Sequence, residues 1–254
     1  MKKTAVILFV VPCALMIAFF WIGHHPGSFE KNAFAIGSSV CHQIPSHSFI
    51  NNGTQFPLCA RCSGLYLGSA AGLIYLFSLG KRAALPDRIT LALLALLFLA
   101  WAGDGINSLA SEFLGRTFLY STTNQIRLAT GFGMGLVMST ALTTLFNTTV
   151  WKNPVKKPVL HSPWQTAAYA IVSLILGFML TKGSFLMFRI LSYVSILTVL
   201  VIITALYTIF WILLLRKENT ISTFSSLIIF LIAGFGTAIS QIFLLNMMRS
   251  AIVG

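Results

Sequence analysis

Residues 189–215 read RILSYVSILTVLVIITALYTIFWILLL, an apolar stretch closed by the basic pair Arg216-Lys217. No charged residue lies between Arg189 and Arg216. At about 1.5 Å per residue, a helix of this length exceeds the roughly 30 Å hydrocarbon core of a bilayer. Comparable runs occur at about 5–23, 62–80, 89–108, 124–146, 166–182 and 222–247. Together they predict an all-α fold, a polytopic transmembrane bundle of about seven helices. The whole chain, 1–254, reads as a single integral membrane domain.

Composition points the same way. Hydrophobic residues make up 57% and charged residues 9%, with a mean hydropathy of +0.87. A soluble domain carries about 25% charged residues. The net charge of +12 invites a nucleic-acid partner. That reading is rejected, because the cations sit at the ends of apolar runs instead of alternating with stacking aromatics. The partner implied is the lipid bilayer, and nothing in the composition sets an oligomeric state.

Lys2 and Lys3 before the first run resemble the start of a secretory signal. The apolar stretch nevertheless continues through Trp21 with no small-x-small cleavage pattern, and Pro12 precedes Cys13. A retained first helix is expected. Lys2, Lys3, Lys81, Arg82, Arg88, Lys152, Lys156, Lys157, Arg216 and Lys217 then fall on one side of the membrane. Lys31, Arg61, Arg116, Arg127, Lys182, Arg189 and Arg249 fall on the other. Ten against seven places the N-terminus in the cytoplasm and the C-terminus outside. Segments 24–61 and 109–123 become extracytoplasmic, and the Pro/Lys-rich loop 147–165 faces inward.

Gly64, Gly68 and Gly72 recur every four residues in the second run, as do Gly131 and Gly135 in the fourth. Small residues at that spacing let helices approach closely in lipid.

The chemistry concentrates in the first outer segment and the helix ends beside it. Cys41-His42 and Cys59-Ala-Arg-Cys62 offer three thiols and an imidazole. This donor set suits zinc or another thiophilic metal, with His24, His25 and His47 as reserve ligands. A structural disulfide between Cys41 and Cys59 or Cys62 competes, since the outside is oxidising. A redox Cys59/Cys62 pair with Arg61 lowering a thiol pKa is a third reading. Asp104 is an acid inside an apolar run, with Asn107 and Ser108 at helical spacing on its face. Asn124 and Arg127 open the fourth run. Arg127 is the expected ion-pair partner of Asp104. Alternating helix direction brings Arg61, Asp104, Asn124 and Arg127 to the membrane face that carries the cysteines, and they become the candidate catalytic groups.

Cys41-His42-Gln43-x-Pro45, Ser48-Phe49 and Pro57-x-Cys59-Ala60-Arg61-Cys62-x-Gly64-x-Tyr66-x-Gly68 resemble an uncharacterised prokaryotic membrane-protein family, domain of unknown function 2085. Asp104-Gly105 and Asn124-x-x-Arg127-x-x-Thr130-Gly131 with Gly135 match its later blocks. The resemblance covers about 37–140 and leaves the C-terminal helices, 165–254, outside it. The family pattern carries an arginine where His47 stands. It implies a grouping of residues, not an activity.

Three functions fit these residues. The first is a metal-dependent membrane enzyme acting on a lipid-linked or anionic substrate. There the metal activates water, Asp104 is a base or ligand, and Arg61 and Arg127 hold the anion. The second is a membrane thiol–disulfide oxidoreductase, although no thioredoxin-like pattern accompanies its C-x-x-C. The third is a transporter or binding protein, although paired broken helices are missing.

Overall fold

The computed structural model describes residues 29–253. The expected first span at 5–23, together with Cys13, His24 and His25, lies outside the described residues. A short helix α1 (Phe29–Ser38) leads through a 3-10 turn (Pro45–His47) into β1 (Ser48–Asn51) and β2 (Thr54–Cys59). There follow α2 (Ala60–Ser78), β3 (Arg82–Ala84), α3 (Arg88–Leu114), α4 (Asn124–Val150) and β4 (Val155–Pro158). The chain closes with α5 (Pro163–Lys182), α6 (Phe185–Leu214) and α7 (Phe224–Val253). Among the described residues five helices, α3 to α7, are long and apolar enough to cross a membrane. The fold is an all-α transmembrane bundle.

Local signals account for the helix ends. Asp87 accepts a hydrogen bond from the Thr90 N–H (2.9 Å) and caps α3. Ser162 and Ser184 cap α5 and α6, and Pro163 opens α5 where its missing N–H costs nothing. The third run was expected to end near 108, yet α3 continues to Leu114. Polar residues do not stop a helix, whereas Gly115 at φ +62° does. The connection to α4 is correspondingly shorter, and Asp104 lies well inside α3 instead of near its end.

α2, of 19 residues, is not among the five strongly apolar helices. It is held against α4 along its length. Gly64 meets the backbone of Leu128 and Phe132, Gly131 meets that of Arg61 and Leu65, and Gly135 meets that of Leu65 and Ser69. Numbers rise together along both helices, so α2 and α4 are parallel and share their ends. The close approach expected from the glycine spacing is present. It explains why glycine and serine stand here where a lipid-facing helix would carry leucine.

The segment between α1 and α2 is more ordered than the loop expected there. β1 and β2 pair antiparallel with Ser48 opposite Cys59, across a tight Asn52-Gly53 turn at φ +48° and +74°. The hairpin packs inward through Phe56, whose ring meets Phe188 of α6 edge-on at 5.2 Å. At the opposite end, β3 and β4 pair in parallel and join the loops after α2 and α4. The bundle therefore has a cysteine-bearing end and a strongly basic end.

Candidate functional site

The site begins where β2 becomes α2. Cys59 is the N-cap residue of α2 and Cys62 lies in its first turn. Cys41 returns to them from the loop after α1, and its sulfur accepts a hydrogen bond from the Cys59 N–H at 3.1 Å. The three Sγ atoms all lie within 4.8 Å of one another. Cys41 and Cys59 are buried and Cys62 partly so, and no disulfide joins them. Convergence of the three thiols, expected from the C-x-x-C turn and the loop length, is what the fold produces.

Gln43 locks this loop. It adopts φ +57°, and its side-chain amide donates to the carbonyls of Phe34 and Pro57, both at 2.8 Å. Gln55 in turn donates to the Gln43 carbonyl at 2.9 Å. From the far end of the sequence, Asn246 and Arg249 of α7 reach the same loop. Arg249 donates to the carbonyls of Cys41 (3.3 Å) and His42 (3.2 Å), and Asn246 hydrogen-bonds Ser38 and the Ala35 carbonyl.

His42 stands outside the sulfur group. Its side chain is exposed, its Nδ1 accepts from the Ile44 N–H at 3.1 Å, and its ring meets that of His47 edge-on at 5.6 Å. The reserve ligand His47 points its Nε2 to Glu112 at 3.9 Å. Burial, then the Arg127 cation, holds His47 below its usual pKa. Within the triad the thiols are unequal. Hydrogen bonds from Cys41, then from Cys62, hold Cys59 well below the usual thiol range. Donation to that sulfur is the main cause that pushes Cys41 up.

Asp104 is 2% exposed, and its partner is Arg61, not Arg127. Arg61 holds it through both Nε (3.1 Å) and Nη2, the latter also donating to the Asp104 carbonyl. The Tyr120 hydroxyl donates to the other carboxylate oxygen at 2.9 Å. The expected Asp104–Arg127 ion pair is thus corrected. The reason is helix register. α3 and α4 run antiparallel, so Asp104 lies level with Thr130 (3.5 Å), while Ser108 meets Arg127 (3.0 Å) one turn nearer the end. Arg127 is 8% exposed, also donates to Asn124 Oδ1 (2.9 Å), and its Nε has no hydrogen-bond partner among the described residues. Asn124 itself donates to the carbonyls of Ser46 (3.2 Å) and Ser48 (3.4 Å), tying the hairpin to α4. Asn107 pins the loop 119–122 through three hydrogen bonds.

Arg61, Asp104, Asn124, Arg127 and the cysteines do share one end of the bundle. Arg61 and Asp104 form one network and the thiols another, with Arg127 in electrostatic reach of Cys59. Gln43 stands in the sequence motif without a role assigned to it, and Gln55 and Tyr120 are not singled out by the sequence. Tyr120 carried no local signal. The Asn52-Gly53 turn was legible and would have revealed the hairpin that brings Ser48 and Gln55 beneath Gln43.

These features define a multi-pass α-helical membrane protein with a buried three-cysteine cluster and a buried arginine–aspartate pair at the same end. The chain belongs to the domain of unknown function 2085 family, described as predicted membrane protein, whose profile matches residues 41–141. An uncharacterized protein of Methanothermobacter thermautotrophicus is 32% identical over 105 residues, covering 40% of this chain and 84% of the relative. An uncharacterized protein of Methanocaldococcus jannaschii is 29% identical over 121 residues, covering 47% and 71%. No solved structure matches. The family match opens at Cys41 and stops within α4, so α5 to α7 lie outside it.

Proposed function

We propose that this protein holds a thiophilic metal, zinc foremost, on Cys41, Cys59 and Cys62 at the extracytoplasmic end, and uses it on an anionic or lipid-linked substrate. The observation that carries this reading is the mutual approach of three sulfurs within 4.8 Å. Tetrahedral zinc with Zn–S bonds of about 2.3 Å needs sulfurs about 3.8 Å apart. A disulfide uses only two of the three. Four ligands including His42 would have filled the shell. With His42 outside, three thiolates leave a fourth position for water or substrate, the pattern of catalytic zinc sites. Three thiolates around a divalent ion leave a net charge of −1, and the buried Arg127, which has no carboxylate partner among the described residues, offsets it. Arg61 is committed to Asp104, so the anion-binding role falls to Arg127 alone, and Asp104 acts by positioning α2.

Protein purified under reducing conditions should carry about one metal ion per chain, measured by elemental analysis. Cys41→Ser should lose it, whereas His42→Ala should retain it. Three titratable thiols with no bound metal in the wild type would overturn the reading. The thiol–disulfide alternative would then take its place, favoured by the depressed pKa of Cys59. For orientation, a reporter fused after Gly254 should behave as extracytoplasmic, and cytoplasmic activity there would reverse the placement of the cysteine end.

A further inference from the structure

At the end opposite the cysteines, α2, α4, α6 and α7 enclose a groove of about 510 Å³. Its walls are apolar, with Leu73, Phe77, Leu142, Phe146, Leu227 and Phe235 among them. Val201 and Phe224 on its rim are exposed, so it opens sideways into the bilayer. Along α7 it runs from Phe224 to Phe235, about 17 Å at 1.5 Å per residue. That is close to half of a roughly 30 Å hydrocarbon core, the depth of one leaflet.

The mouth of the groove is polar and built. Lys81 places its ammonium 3.7 Å from the centroid of the Trp151 ring and donates to the Ser222 carbonyl at 3.4 Å. An ammonium has three N–H donors, so one remains. Trp151 is held from below by Asn147, which accepts from the indole N–H (3.0 Å) and donates to the Arg82 carbonyl (2.7 Å). The loops around this point are laced together by the Lys152 N–H to Ile221 carbonyl bond (2.9 Å). They carry Lys81, Arg82, Lys152, Lys156, Lys157, Arg216 and Lys217, against two acids, Asp87 and Glu218.

A one-leaflet apolar groove beneath a cationic mouth matches one molecule. We propose that this groove binds an anionic phospholipid, with one acyl chain between α6 and α7 and the headgroup phosphate at Lys81. A zwitterionic lipid would offer the same chain, but its own ammonium would oppose the loop cations. Basic pockets between membrane helices recognise anionic headgroups for this reason.

The test is native mass spectrometry of detergent-purified full chain with phosphatidylglycerol or phosphatidylcholine of identical chains. Wild type should retain phosphatidylglycerol about fivefold more than phosphatidylcholine, the size expected for one unit of headgroup charge beside basic loops. Lys81→Gln should lower this preference, the remaining loop cations keeping part of it, and Lys81→Arg should restore it. Val201→Trp, on the exposed rim, should lower retention of both lipids by filling the groove. Monodisperse elution in detergent is the check that each variant is folded. Equal retention of both lipids by the wild type overturns the proposal. So does an unchanged phosphatidylglycerol preference in Lys81→Gln, or competition by soluble glycerol phosphate as strong as by the lipid.

Discussion

Asp104→Asn is expected to destabilise the protein by about 3 kcal/mol, measured by unfolding in detergent. The carboxylate is buried and carries the only negative charge that touches Arg61 among the described residues. Removing it leaves the Arg61 guanidinium partly buried without a counter-charge, and that uncompensated cation is the main cost. The Tyr120 hydroxyl can still donate to the asparagine oxygen, so this part of the network survives. A double-mutant cycle identifies the partner. Asp104→Asn with Arg61→Gln should show a coupling of about 1.5 kcal/mol or more, because the second change removes the stranded charge. Asp104→Asn with Arg127→Gln should be additive to within about 0.5 kcal/mol. Strong coupling to Arg127 and none to Arg61 would refute the helix register described above.

Gly131→Val should abolish folded protein, with a loss of more than about 4 kcal/mol. A side chain on Gly131 would drive into the Arg61 carbonyl and crowd the Leu65 N–H at 3.0 Å. Both are backbone atoms in a helix, so no rotamer change relieves the clash. α2 would have to move away from α4. That displacement would carry Arg61 from Asp104 and the Cys59–Cys62 turn from Cys41. Gly103→Val is the control, since nothing lies within 4 Å of a Cβ there, and it should cost no more than about 1 kcal/mol. Comparable yields of monodisperse protein from Gly131→Val and Gly103→Val would refute tight α2–α4 packing. On the metal reading proposed above, metal content should follow the same order, tying the glycine contact to the cysteine site.

The amino-acid sequence by itself determined the membrane bundle, because apolar length against bilayer thickness is a one-dimensional quantity that residues 189–215 display without help from the fold. It also marked the second and fourth runs as faces for close approach, since Gly64, Gly68 and Gly72 and Gly131 and Gly135 are helical-period signals, while the fold decided that these two faces meet each other. Counting helix directions brought the cysteines, Asp104 and Arg127 to one end for the same reason. Tertiary structure alone decided which of these residues touch. A residue's level along the membrane normal depends on where each helix starts and stops and how it slides against its neighbour. Because α3 runs on to Gly115, Asp104 sits deeper than Arg127 and meets Arg61, which reaches it from α2. Whether His42 joins the sulfurs was likewise beyond spacing rules. The αL turn at Gln43, held by Phe34 and Pro57 and braced from α7 by Arg249, leaves Cys41 buried and its neighbour exposed. The Arg249 contact joins residues 208 positions apart, and only the packed chain brings them together.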